Sequence, residues 1–137
     1  VKMAVSDDPF ARQAITTFKV LERFDSTRFD DGYTLVECHL FTGRTHQIRV
    51  HMRHINHACV GDPLYGKCDA RADQGLTRQF LHSWRVAFDH PVTGEHIECR
   101  DELPWDLAAV LDDLAPRSLG RTAAGDEIVP QLGLLEA

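Results

Sequence analysis

The spacing of apolar residues changes about a third of the way along the chain, and this change limits the folds available to it. Residues 14–24 (AITTFKVLERF) and 33–41 (YTLVECHLF) alternate between two faces and are rich in β-branched and aromatic side chains, which is typical of β-strands. Asp30, Asp31 and Gly32 between them are turn-forming residues. The two segments therefore predict a β-hairpin with a long loop.

The next segment has a helical period. Ile48, Met52 and Ile55 recur at positions i, i+4 and i+7, which predicts a helix from His46 to about Ile55 with these three side chains toward the core. Thr45 stands just before this segment and is the expected N-cap. The chain thus combines strand and helix patterns.

Strands followed by a helix are predicted again in the second half of the chain. Residues 79–89 and 95–100 alternate on either side of a turn. Residues 106–114 predict an amphipathic helix, with an apolar side made of Leu107, Val110, Leu111 and Leu114. We expect this helix to pack on the sheet. We also expect Trp84 and Trp105 to lie in the core rather than to stack on bases.

Charge separates the end of the chain from the rest. The formal net charge is -6, and residues 101–137, with eight acids and two arginines, account for all of it. Residues 116–137 contain glycine, proline and scattered acids without a period. We therefore expect a folded unit over residues 1–115 and a loosely held acidic tail over residues 116–137.

The stretch 42–57 is the basic part of the chain. It contains Arg44, Arg49 and Arg53, four histidines and no acid. A negative net charge argues against a nucleic-acid partner, because RNA affinity depends largely on cations that neutralise phosphates. The local excess of arginine restores RNA as a candidate partner for this stretch.

The same stretch raises the question of a metal site. Its histidines are closely spaced, and the two in the middle share one face of the predicted helix; they are His46, His51, His54 and His57. Metal sites need further ligands at suitable spacing. No cysteine or carboxylate stands at a helical partner position, so we expect no metal.

Cysteine usage and hydropathy indicate the compartment. The cysteines are far apart and form no C-x-x-C pair; they are Cys38, Cys59, Cys68 and Cys99. We expect reduced thiols, most of them buried. No apolar run approaches the roughly 20 residues that cross a bilayer, and the first residues lack the pattern of a signal peptide. A cytoplasmic protein is the resulting expectation.

Several motifs occur in a fixed order along the chain. They are FTGRTHQIRVHM at 41–52, CVGDPLYG at 59–66, LH at 81–82, FDHPVTGE at 88–95 and LPWD at 103–106. This order resembles the RluA/RluD-type RNA pseudouridine synthases, over about residues 2 to 113. The resemblance implies an α+β fold, with a mixed, mostly antiparallel sheet flanked by helices, as the C-terminal part of the family's catalytic domain.

The resemblance also implies a reaction. The family isomerises uridine in RNA to pseudouridine without a cofactor, after the target nucleotide is flipped out of its stack. Its catalytic aspartate belongs to a motif of the type RLD..TSG, and a tyrosine further along packs against the uracil. Neither motif occurs in this sequence; both would lie upstream of Val1. We therefore expect the chain by itself to be inactive.

Arg49 is the functional residue that the resemblance transfers to this sequence, as the partner of the family's catalytic aspartate. A guanidinium stays charged and holds a carboxylate through two parallel hydrogen bonds. Without that aspartate, we expect Arg49 to be an unpaired charge in a cleft. The alternative is a solvated helix residue.

The other motif residues have simpler expected roles. Arg44 and Arg53 are candidates for RNA phosphate contacts, with ordinary surface arginine as the alternative. The remaining members are expected to shape the backbone or to form internal hydrogen bonds; they are Gly43, His46, Gln47, His51, Gly61, Asp62, Tyr65, Gly66 and His82.

Two further readings remain beside the enzyme. The chain is alternatively a non-catalytic RNA-binding module that keeps the synthase shell, or a metal-binding or purely structural protein. Ribosomal RNA is the first candidate substrate and transfer RNA the second. Because a sheet that has been cut open leaves an unpaired edge, we also expect either self-association through that edge or an unusually exposed apolar surface.

Overall fold

The computed structural model describes residues 2–3, 14–67, 69 and 71–134. In chain order, the described elements are β1 (Lys2–Met3), β2 (Thr16–Phe24), β3 (Tyr33–Leu40), α1 (Gln47–His54), β4 (Arg85–Asp89), β5 (His96–Arg100), α2 (Trp105–Leu114), β6 (Ser118–Arg121) and α3 (Ala123–Ile128). Short 3₁₀ turns follow α2 and α3. Every strand pair among the described residues is antiparallel, and the predicted α+β class is confirmed.

Strand β2 is the centre of the larger sheet. It pairs with β3 along its whole length, and β1 and β6 pair with its two ends on the opposite side. The predicted hairpin is therefore confirmed. At the turn, the Asp30 carboxylate accepts a hydrogen bond from the Gly32 amide at 2.9 Å. Gly32 has a φ of 89°, which glycine adopts without strain.

A β-bulge in β2 connects the sheet to the core. Val20 pairs with Val36 and Glu22 with Leu35, so Leu21 is the extra residue. Successive strand residues normally point to opposite faces, and a bulge re-aims the side chains that follow it. As a result Leu21 and Phe24, three positions apart, are both buried.

The core consists of two adjoining clusters on this strand. Leu21 packs with Ile128, Val129 and Leu132. Phe24 packs with the apolar side of α2, namely Val110, Leu111 and Leu114. Leu35, Leu103 and Leu134 contact both clusters, so the apolar interior is continuous. The predicted packing of the second helix on the sheet is confirmed.

The expectation of a loosely held tail is wrong for residues 118–132. Strand β6 pairs with β2, and the apolar residues of α3 and the turn after it lie in the core. Thr122 caps α3 by accepting a hydrogen bond from the Gly125 amide at 3.0 Å. The apolar residues are split between a short helix and a 3₁₀ turn, which hides their periodicity. Residues 135–137 lie outside the described residues.

The start of the first helix also differs from the prediction. Helix α1 begins at Gln47, after His46 in a left-handed conformation with a φ of 51°. Thr45 is not the N-cap, and no side chain caps this end. The buried residues of α1 are Gln47, His51 and Met52, whereas Ile48 is only half-buried. Polar side chains occupy most of the inner face because strand β2 offers them hydrogen-bond partners.

One strand prediction and one tryptophan prediction are wrong. Residues 79–84 are not strand, and β4 and β5 form a separate, largely exposed hairpin. Trp105 is 84% exposed, so its predicted core position is wrong. Trp84 is partly buried against the core and donates from Nε1 to the Glu37 carboxylate at 2.9 Å.

The described cysteines are free thiols, but the prediction that most are buried is wrong. Cys38 and Cys59 are half-buried and Cys99 is exposed, while Cys68 lies outside the described residues. Burial raises the pKa of Cys38 and of Cys59 to about 11, so both stay protonated at neutral pH. Within the described part of the chain, no helix is long and apolar enough to cross a membrane.

The core position of residues 118–132 is testable by two leucine substitutions. Leu132 is 4% exposed. Changing it to alanine is expected to lower the free energy of unfolding by about 2–5 kcal/mol, because the substitution leaves a cavity in the core. Leu119, which is 66% exposed, is the matched control, and its change to alanine is expected to stay within about 0.5 kcal/mol. Urea unfolding measures both. Equal effects would show that the core does not include Leu132.

Candidate active site

A buried ion pair joins helix α1 to the loop that follows it. Arg49 donates from Nε to Asp62 Oδ2 at 2.7 Å and from Nη2 to Asp62 Oδ1 at 2.8 Å. The Asp62 side chain is fully buried, and the Arg49 side chain is 11% exposed. Parallel paired hydrogen bonds of this kind fix the guanidinium plane relative to the carboxylate.

The expectation that Arg49 would be unpaired is therefore wrong. Its partner lies thirteen residues further along the chain and was assigned only a structural role from the sequence. The sequence did indicate Asp62 as a possible partner of Arg49, because Asp62 is the first acid after Glu37 and the first to follow the basic stretch. A buried guanidinium needs a counter-charge, and this carboxylate is the first that the chain offers.

A tight turn holds the Asp62 carboxylate in place. Asp62 Oδ1 also accepts hydrogen bonds from the backbone amides of Leu64 and Tyr65, both at 3.0 Å. The Gly66 amide donates to the Asp62 carbonyl at 3.0 Å. Hydrogen bonds lower the pKa of Asp62 to about 2. Those from Arg49 have the largest effect, and those from the backbone amides of the turn have a smaller one. The carboxylate is thus ionised at neutral pH despite its burial.

Both glycines of the turn are required by space. Gly61 has a φ of 77°, and a Cβ added there would overlap the Arg78 carbonyl oxygen. A Cβ added at Gly66 would overlap the Asp62 carbonyl oxygen. Gly43 is different, since its conformation is not left-handed and a Cβ there would meet open space. The geometry therefore does not need glycine at position 43.

The Tyr65 ring packs against the Arg49 guanidinium. The Arg49 Cζ atom lies 5.2 Å from the centre of the Tyr65 ring, a cation–π distance. The Tyr65 hydroxyl is 3.2 Å from Nδ1 of His46. His46 itself has a left-handed backbone and directly precedes the first residue of α1.

A polar cluster attaches α1 to the first residues of β2. Gln47 Nε2 donates to the Ile15 carbonyl at 2.9 Å and to Thr16 Oγ1 at 3.0 Å, and Gln47 Oε1 accepts from Thr42 Oγ1 at 2.7 Å and from the Arg44 amide at 3.0 Å. A buried primary amide with all four partners is fully satisfied. Gln47 therefore sets where α1 begins relative to the sheet.

His51 completes this cluster one helical turn later. Its Nδ1 lies 2.7 Å from Thr16 Oγ1, and burial lowers the pKa of its imidazole. Thr16 Oγ1 also accepts from Gln47 Nε2, so this one hydroxyl joins both helix residues to strand β2. Arg49 thus lies between two anchored helix positions.

The other predicted residues lie outside this cluster. Arg44 and Arg53 are exposed and form no ion pair with the described residues. His82 Nε2 lies 3.2 Å from the Asp101 carbonyl oxygen, between the segment before β4 and the segment after β5. Among the described residues, no group of three histidine, cysteine or acidic side chains is arranged to hold a metal ion.

Comparisons with known proteins identify the family of this chain. The sequence profile described as RNA pseudouridylate synthase matches residues 1–54. The chain is 46% identical over 112 residues to the uncharacterized RNA pseudouridine synthase YlyB of Bacillus subtilis, covering 82% of the chain and 33% of the relative. It is 43% identical over 124 residues to the ribosomal large subunit pseudouridine synthase D of Xanthomonas campestris, covering 83% and 35% respectively.

A solved structure leads to the same group of proteins. Human RNA pseudouridylate synthase domain containing 1 superposes with a TM-score of 0.62 at 28% identity, over 88% of this chain and 46% of that one. The chain belongs to the RNA pseudouridylate synthase family, in its RluA/RluD-type branch. It spans about a third of the length of the curated relatives it matches.

The stability supplied by Asp62 should depend on pH. Changing Asp62 to asparagine is expected to lower the free energy of unfolding by on the order of 3 kcal/mol at pH 7, because the buried Arg49 loses its counter-charge. The folded-state pKa lies below the ordinary value of 3.8. The difference in free energy of unfolding between the wild-type protein and Asp62→Asn is therefore complete above about pH 4, and it is lost as the pH falls toward 2.

Urea unfolding of both proteins across this range measures the difference. Asp106→Asn is the control, because Asp106 pairs with Arg78 in the same geometry but with greater exposure, and exposed pairs contribute little. A difference for Asp62→Asn that grows on acidification would contradict the assignment.

Proposed function

We propose that this chain serves in the isomerisation of uridine to pseudouridine in RNA, with cytoplasmic ribosomal RNA as the substrate and transfer RNA as the second choice. The bond between C1′ of the ribose and N1 of uracil breaks, and a bond from C1′ to C5 forms. C5 loses its proton and N1 gains one, so the atoms balance without a cofactor. The names of relatives, including ribosomal large subunit pseudouridine synthase D, support this choice of RNA.

The single observation that carries the proposal is the Arg49 guanidinium. It is nearly buried, held by Asp62 through one edge, and still slightly exposed. Such a group can keep a second carboxylate ionised and oriented. The family's aspartate motif does not occur in the printed sequence, and we propose that Arg49 pairs with that aspartate when both are present.

We propose the exposed face of α1 and its preceding loop as the RNA contact. Arg44 and Arg53 are exposed, and no acid occurs between residues 38 and 61. An arginine without a carboxylate partner keeps its full charge for a phosphate. The negative charge of the whole chain lies mainly in residues 101–137, away from this stretch in sequence.

The reaction is tested by tritium release from C5-labelled uridine in ribosomal RNA, using the full-length gene product. Arg49→Lys is expected to lower the rate at least about 100-fold, because an ammonium group cannot form the two parallel hydrogen bonds. Arg78→Lys, in the second Arg–Asp pair of the chain, is the matched control and should keep the wild-type rate.

The outcome decides between the two readings of the chain. No tritium release by the wild-type protein, together with retained RNA binding, would favour a non-catalytic RNA-binding module. A wild-type rate in the Arg49→Lys protein would remove Arg49 from the proposed role.

The proposed RNA contact predicts a change in salt dependence. Arg44→Gln and Arg53→Gln are each expected to weaken binding of a ribosomal RNA fragment and to lower the slope of log affinity against log salt by about 1. Arg78→Gln is the control, because Arg78 is already neutralised by Asp106 at 2.8 Å. Identical slopes in all four proteins would place the RNA elsewhere.

We propose self-association through the outer edge of β3. Strand β3 pairs with β2 on one side, and no described strand pairs with its other side. Exposed backbone donors and acceptors at such an edge favour pairing with another strand. Sedimentation velocity should show a dimer at micromolar concentration, and a monomer at every concentration would refute this proposal.

A further inference from the structure

We propose that Asp62 is a positioning residue that holds one edge of the Arg49 guanidinium so that Nη1 faces an anionic group of the reaction centre in a single orientation. This inference rests on the proposed function and deepens it, because it assigns the residue that aims Arg49. Asp62 itself touches neither substrate nor reacting atoms in this assignment.

The first step concerns which guanidinium atoms are occupied. The hydrogen bonds to Asp62 use Nε and Nη2, and Nη1 has no hydrogen bond to the described residues. No buried side-chain nitrogen or oxygen among the described residues lacks a partner. Nη1 therefore keeps some exposure to solvent, on a side chain that is 11% exposed overall.

The second step concerns what prevents the guanidinium from turning. The Asp62 side chain is fixed by the amides of Leu64 and Tyr65, and the Asp62 backbone packs so closely on Gly66 that a Cβ there would overlap the Asp62 carbonyl oxygen. The Tyr65 ring then covers the guanidinium at 5.2 Å. Orientation is thus transmitted from a rigid turn through the carboxylate to Arg49.

The third step concerns charge. Because Asp62 stays ionised at neutral pH, the pair with Arg49 carries no net charge. The carboxylate itself does not attract RNA phosphates, and its removal would not weaken that attraction. Its loss should disturb the geometry of the reaction rather than the affinity for RNA, and a misplacement of about 1 Å can cost about 100-fold in rate.

The chain contains its own control for this argument. Arg78 and Asp106 form the same two hydrogen bonds, both at 2.8 Å. Their side chains are 41% and 26% exposed, and the described contacts include no aromatic ring on Arg78. A variant at Asp106 removes a bidentate pair of the same chemistry outside the proposed site.

The orientation itself can be measured on this chain by NMR of the arginine side chains. Arg49 should show separate Nη signals, because rotation about its Nε–Cζ bond is slow, and Asp62→Asn should average them while the Arg78 signals stay unchanged. Asp106→Asn should average the Arg78 Nη signals and leave the Arg49 signals separate. Averaged Arg49 signals in the wild type, or unchanged signals in Asp62→Asn, would overturn the proposal.

The consequence for catalysis is measured in the full-length gene product. Asp62→Asn should lower kcat about 100-fold with KM for RNA within about threefold, whereas Asp106→Asn should keep both values. If Asp62→Asn does not fold, Asp62→Glu retains the charge but displaces the guanidinium, and should lower kcat in the same way. A wild-type kcat in the folded variant would overturn the proposal.

The two proposals fail differently. A wild-type protein without tritium release refutes the reaction, and the NMR experiment then still decides whether Asp62 orients Arg49. Release by the wild type with an unchanged kcat in the Asp62 variants refutes the positioning role alone.

Discussion

Strand β2 has both backbone edges in use, and the rest of the described structure depends on it. Its bulge at Leu21 directs two side chains into the core, and its first residue, Thr16, receives the polar side chains of α1. Core and site are therefore attached to one strand. A shift of its register would break the apolar clusters and the Gln47 and His51 hydrogen bonds together.

The ion pair between Arg49 and Asp62 shows how the chain handles a buried charge. Isolated charges are costly to bury, and a pair is tolerated when its remaining hydrogen-bonding groups are also satisfied. Here two backbone amides and an aromatic ring complete the arrangement. The cost of such a pair suits a group whose orientation matters more than its contribution to stability.

Regular patterns in the sequence predicted the hairpin, the second helix and its apolar side, because repeating apolar residues reflect a face that must be buried. On the inner face of α1 only Met52 was predicted, since Gln47 and His51 are buried through hydrogen-bond partners on β2 and at Thr42, up to 35 residues away. Residues 118–132 were misjudged for a related reason. Their apolar residues are too few and too broken in spacing to show that another segment buries them.

By itself, the sequence determined the family and the α+β class and singled out Arg49 as a candidate, because ordered motifs and periodic burial are written locally along the chain. Only the tertiary structure decided that Asp62 holds Arg49, that His46 contacts Tyr65, and that the chain's end completes the core. Those outcomes depend on which side chains meet across a turn or between strands. Contacts of this kind follow from chain geometry in three dimensions and leave no period in the sequence.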